Sequence, residues 1–322
     1  MLHAGITFVI GILSSLFCQE EPQTKDTTQM RDVIEITTQS TGPHLHGGPV
    51  PVPIVVENLG SAPVSILLPY PNPNDLTFRC TPADLARAKL VEQDPIERIA
   101  PLDIPSYRSE TRMYYLNRYF EFIRPGRAEC SYQLNTSISV EGTPAAYQHE
   151  TFTGTFTIQL ERASDEQVRT ELSDYAMMLD NPNRQKRAEA AEALAFLDTP
   201  LVIPFLMRML EIDDLEVIGI HALGRHPSLE SYRAITGLLG HPDSAIIAAV
   251  LKEVDRNQIP LPRRDAQKLL SSANPNIQWL ALGWLIGHPS REDLPLLSQA
   301  LTSQNTAVRD RARAYEQLLN TR

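Results

Sequence analysis

The sequence predicts two parts in series, an antiparallel β-sandwich followed by an α-helical solenoid. Three observations carry that reading. Leu215, Ile246, Ile277 and Val308 stand 31 residues apart, and so do Leu223, Val254 and Leu285, and Leu239, Leu270 and Leu301. A fixed period of this size in three registers marks stacked supersecondary units. Within each period the spacing is helical, since Leu215, Ile218, Gly219, Ala222 and Leu223 fall on one stripe of a 3.6-residue turn. Ahead of the repeats, residues 32–161 show short alternating runs rich in β-branched and aromatic residues instead.

In chain order, Ala4 to Phe17 form an apolar run shorter than the ~20 residues of a spanning helix. Followed by the polar stretch 19–31, it reads as a signal peptide or N-terminal anchor over residues 1–18, although no Lys or Arg precedes it. Cys18 follows directly, but Ser15 and Phe17 depart from the Leu and the Gly or Ala of a bacterial lipobox. Lipidation, cleavage and a retained anchor all stay open.

The strands expected in 32–161 are Val33–Thr37, Val52–Glu57, Val64–Leu68, Thr111–Leu116, Cys130–Leu134 and Thr151–Leu160, separated by turns such as Asn58–Ser61, Pro71–Asn74 and Pro125-Gly126. Residues 83–109 fit this pattern poorly, and Ala83 to Leu90 reads as a helical turn inside an insertion of no assigned role. Cys80 and Cys130 are an even pair once a signal is removed. In an exported domain they favour a disulfide, whose loop of about 50 residues contributes on the order of 4 kcal/mol. Two buried free thiols are the rival reading.

The helical part spans 164–322. Ser164 with Gln167 is a capping-box pattern, and Val168, Leu172, Tyr175, Ala176 and Leu179 continue a capping helix. A unit at 182–212 precedes the regular ones. His226-Pro227 and His288-Pro289 punctuate the turns, where proline stops the first helix and an imidazolium opposes its dipole. Arg311 and Glu316 replace apolar residues on the last stripe, as suits a helix facing water.

Ala222-Leu223-Gly224 and the run Ala188 to Leu194 resemble the first helix of short HEAT-like repeats, the bacterial type also found in phycobilisome lyases. The segment VPIVVENLGSAPVSILLP resembles the early strands of bacterial immunoglobulin-like domains, and FIRPGR resembles a turn of those domains and of small protease-inhibitor sandwiches. The resemblance implies an Ig-like sandwich and a HEAT-like solenoid that binds a protein through the face of its second helices, with Tyr232, Arg233, Arg263 and Arg264 as candidate contacts. It also implies two alternatives, a chromophore lyase and a protease inhibitor.

Chemistry is sparse. The net charge is −10, and the parts before and after residue 163 are both acidic, which argues against nucleic acid as a partner. Arg309, Arg311 and Arg313 read as a solvated capping face. His44-Leu45-His46 offers two imidazoles with no third ligand nearby. Glu253 holds the stripe position of Ala222, Trp284 and Tyr315, either as a functional acid in a groove or at the stripe's edge. The chain carries no nucleophile elbow, zincin, Walker or dinucleotide motif. The expectation is therefore an exported, non-catalytic scaffold for a protein partner, with no cofactor or metal, and with membrane contact only through the N-terminal anchor.

Overall fold

The computed structural model describes residues 33–38, 42–68, 75–89, 101–141 and 147–321. The N-terminal apolar run, Cys18, the 19–31 stretch and the Pro71–Asn74 turn lie outside these residues.

The N-terminal part is built from strands β1 (Ile34–Thr38), β2 (His44–Leu45), β3 (Pro51–Asn58), β4 (Val64–Leu67), β5 (Leu76–Thr81), β6 (Ala86–Ala88), β7 (Leu102–Ile104), β8 (Ser109–Tyr115), β9 (Phe120–Phe122), β10 (Gly126–Val140) and β11 (Gln148–Glu161). One sheet has the order β1-β3-β8 and the other β2-β11-β10-β4-β7, with β5 also on β10. A two-residue alternation puts Val52, Ile54 and Val56 of β3 into the same core as Cys130, Tyr132, Leu134 and Ile138 of β10. Tyr132 spans the two sheets and donates its hydroxyl to the Ile36 carbonyl at 3.0 Å. Asn58, fully buried where β3 ends, donates to the carbonyls of Ala62 and Ile104 and accepts from the Gly60 amide at 2.9 Å, which fixes the expected turn. Cys80 and Cys130 lie directly opposite in the β5–β10 register and are joined by a disulfide.

Over its described residues, 83–89, the stretch expected to form a helical turn does otherwise. It turns only once, with the amides of Leu85 and Ala86 donating to the Pro82 carbonyl, and then runs extended as β6 paired to β9. Burial of Leu85 and Ala86 and the pairing with Phe120–Phe122 outweigh the helical propensity of the segment. Residues 102–104 likewise join a sheet as β7 on β4.

Among the described residues ten α-helices follow: α1 (Asp165–Met178), α2 (Arg184–Ala195), α3 (Ile203–Met209), α4 (Glu216–Gly224), α5 (Leu229–Gly237), α6 (Ser244–Arg256), α7 (Arg263–Leu269), α8 (Pro275–Gly287), α9 (Leu297–Leu301) and α10 (Thr306–Asn320). The capping box forms as expected at α1, with both reciprocal bonds of Ser164 and Gln167 present. Helices α2, α4, α6, α8 and α10 pack each on the next, and α3, α5, α7 and α9 lie between them in the chain. Leu215, Ile246, Ile277 and Val308 are all buried, as are Leu223, Val254 and Leu285. A further register appears at the helix starts. Asp243, Asn274 and Asn305 each accept a backbone amide at the N-terminus of α6, α8 and α10, so the period extends to the caps.

Two buried carboxylates join successive units. Glu253 is 1% exposed and takes hydrogen bonds from His221 Nδ1 (2.5 Å) and Asn257 Nδ2 (2.6 Å), with Arg256 at 3.4 Å. It is neither a groove acid nor a stripe-edge group. A Cβ on Gly224 would sit 2.3 Å from its Oε2, so glycine there is what lets the carboxylate in. Asp293 is fully buried and accepts from Arg263, Gln267 (2.8 Å) and the Tyr315 hydroxyl. Arg311 does not face open water as expected, because its guanidinium stacks 3.8 Å from the centre of the Trp279 ring. The imidazolium expectation also changes. Burial lowers the pKa of His226, against a smaller upward pull from its bond to the Leu197 carbonyl (3.0 Å), so burial works against the charged form expected there. His288 stacks on Trp284 at 4.2 Å.

Removing Asp293 strands Arg263 and Tyr315 together. Asp293→Ala is expected to cost about 3 kcal/mol, the lower end for breaking a buried pair because Arg263 keeps some access to water. Urea unfolding followed by helical circular dichroism measures this, and a cost under about 1 kcal/mol contradicts the role given to Asp293.

Candidate functional site

The sandwich and the helices meet at Phe196, the residue that ends α2. Its ring lies between two guanidinium groups, Arg118 from the turn after β8 at 4.7 Å and Arg225 from the end of α4 at 4.6 Å. Stacked arginines of this kind are worth on the order of 1–2 kcal/mol when partly desolvated. Arg225 also donates to the Ala195 carbonyl at 2.6 Å. Lys89, just past β6, donates to the carbonyls of Asn117 (2.8 Å) and Phe196 (3.2 Å) and pairs with Asp198 (2.6 Å). A cation is well placed there, because the last carbonyls of α2 carry the negative end of the helix dipole. Burial pulls the pKa of Lys89 down and Asp198 opposes that pull.

A second contact runs along α1. Tyr115 of β8 meets Tyr175 edge-on at 6.2 Å. Glu171 packs against Gly48, where an added Cβ would approach its Oε2 to 2.3 Å, and that oxygen is buried with no hydrogen-bond partner. Burial, with the charge of Asp174 adding to it, pushes the Glu171 carboxyl up to about 7, and burial pushes Tyr175 up to about 12.

Beside this joint lies a groove of about 550 Å³, within the usual range of about 300–1,000 Å³ for ligand sites. Arg118 and Phe196 form one end, and the starts of α4 and α6 supply Val217, Ile218 and Ile246. Acidic side chains dominate the rest: Glu192, Asp213, Asp214, Glu216 and Asp243, against Arg118 and Arg184 as the lining cations. Arg184 is engaged with Asp214 at 3.3 Å. His241 Nδ1 accepts from the Asp243 amide at 3.1 Å, which places its proton on Nε2.

The residues expected to bind a partner are elsewhere. Tyr232 is half-buried on α5 and packs on the helical core, while Arg233 and Arg264 are exposed on α5 and α7. Arg263 gives its guanidinium to Asp293 and the His288 carbonyl. None of the four lines the groove, which belongs to the first helices and not the second. Cys80 and Cys130 sit within the sandwich. His44 is buried, and His46 bonds to the Phe122 carbonyl at 2.9 Å. Among the described residues no three His, Cys, Asp or Glu side chains converge as a metal site, and no helix is long and apolar enough to cross a membrane. Lys89, Arg118 and Phe196 carry no local signal in the sequence because their partners are far away along the chain, 107 residues in the case of Lys89 and Phe196.

No protein-family model and no curated protein matches the chain. Among solved structures, Escherichia coli YibA is 14% identical with a TM-score of 0.35, the match covering 50% of this chain and 65% of YibA. A PapD-like domain of human CEP192 is 15% identical with a TM-score of 0.22, covering 50% of this chain and 99% of the domain. Escherichia coli alpha-2-macroglobulin, from domain MG7 to its C-terminus, is 9% identical with a TM-score of 0.24, covering 88% of this chain and 55% of that one. Scores of this size carry no inference about this chain.

Glu171 gives the joint a pH dependence. Its folded pKa is raised from 4.5 to about 7, so the folded state holds a proton that the unfolded chain releases, and stability falls as pH rises through that window. Glu171→Gln removes the decline. Discounted for partial exposure, the variant gains on the order of 1 kcal/mol at pH 8 and nothing at pH 4. Parallel stability curves for the two proteins across pH 4 to 8 contradict this.

Proposed function

We propose that this chain is an exported, non-catalytic scaffold of an immunoglobulin-like sandwich and HEAT-like repeats, which binds a protein partner in the groove at their joint. The observation that carries the reading is the groove itself, a concavity of about 550 Å³ whose apolar wall comes from the helical part and to which the sandwich adds Arg118. Stacked helix pairs characteristically offer such extended concave surfaces. Support for a scaffold also comes from how the buried ionisable groups are used. Glu253 and Asp293, the two most deeply buried carboxylates of the described helical residues, are each held by neighbouring side chains, whereas Glu171 keeps one buried oxygen unpartnered. Export draws support from the apolar N-terminal run and from the Cys80–Cys130 disulfide, a bond that persists in oxidising compartments.

A photo-crosslinking amino acid in place of Val217, tested in the native host, checks this reading. A discrete protein adduct is expected there, and none from the same group in place of the exposed Thr155 on β11. No protein adduct from position 217, or equal adducts from both positions, removes the support for the groove.

A further inference from the structure

The lining of the groove says more than that something binds there, and the class of partner it implies rests on the scaffold reading. The acidic groups Asp213 and Glu216 form no ion pair among the described residues, while Asp214 is engaged with Arg184. Asp243 adds a third carboxylate, held at the start of α6 by its bond to the Ala245 amide at 2.8 Å. Val217 and Ile218, half-buried apolar surface that remains partly open to water, line the same groove. The groove therefore has two distinct needs, a cation for its rim and apolar cover for its wall. The chain's net charge of −10 deepens the negative potential around it, and nearby low-dielectric walls focus that field.

We propose that the groove takes an extended peptide segment of a partner protein, one that sets a lysine or arginine among Asp213, Glu216 and Asp243 and an apolar side chain against Val217 and Ile218. Charge complementarity decides between occupants. An acidic peptide, a nucleic acid or an anionic lipid surface meets like charge at this rim, whereas a basic segment meets opposite charge. The apolar wall separates such a segment from a polybasic tail held by charge alone, and salt sensitivity separates it from purely apolar docking.

The test uses the full chain and three fluorescein-labelled decapeptides: one alternating lysine and leucine, one with glutamate replacing each lysine, and one with serine replacing each leucine. Fluorescence anisotropy is expected to show binding of the lysine–leucine peptide, at least tenfold weaker binding of the other two, and clear weakening in 0.5 M salt. Asp213→Lys with Glu216→Lys is expected to weaken the lysine–leucine peptide at least tenfold, and Glu230→Lys on α5 is expected to leave it unchanged. Helical circular dichroism confirms that each variant is folded. Equal binding of the serine peptide, binding of the glutamate peptide, or full affinity in the double variant each overturns the proposal. A partner adduct at position 217 that forms undiminished when excess lysine–leucine peptide is present during irradiation leaves the scaffold reading standing and removes this one.

Discussion

Phe196 held between Arg118 and Arg225 is the contact on which the rest of the molecule depends. A sandwich and a helical array each have a core of their own and need no fixed relation to each other. Here one aromatic ring is gripped by a guanidinium from each side, and Lys89 ties the carbonyl of the same residue to the turn at Asn117. Asn117 in turn accepts the Val50 amide at 2.7 Å, so the clamp is anchored in the sandwich's own loops. Arg118 and Phe196 also form the end of the groove, which makes the joint and the candidate site one structure.

Within the helical array, apolar stripes supply the bulk of the packing and a few polar groups define how units meet. The position before the second apolar register of the repeat is Ala222 in one unit, Glu253 in the next and Tyr315 in the last, all buried. Glu253 reaches back to His221 of the preceding unit, and Tyr315 reaches Asp293 and the Ser290 amide. A buried polar group tolerates few geometries, because any slip leaves it unpaired in a low dielectric. Such groups set the offset between units more tightly than leucines alone would.

Much of the architecture is legible in the sequence because it is periodic. The 31-residue registers locate the helix pairs, and the alternation of β3, β4 and β11 locates strands to within a few residues. The caps at Asp243, Asn274 and Asn305 keep the same period, but as polar residues they fall outside a search for apolar stripes. What stays hidden is non-local. β6 exists only because β9 pairs with it, and nothing in Ala86–Ala88 taken alone announces a strand. Lys89 looks like any lysine until α2 places its last carbonyls within reach, and Arg263 looks like a surface arginine until Asp293 is buried beneath it. Resemblance points to the second-helix face, while the acids at the starts of α4 and α6 mark the groove on the first helices.

The Phe196 contacts join the sandwich to the helical array, and the two are expected to tumble together. Backbone nitrogen-15 relaxation on the full chain tests this most directly, because it reads the tumbling of each part separately. A single rotational correlation time shared by β10–β11 amides and α6–α10 amides is the predicted result. Two distinct, shorter times would show parts that reorient independently, and would contradict both the clamp and the groove built on it.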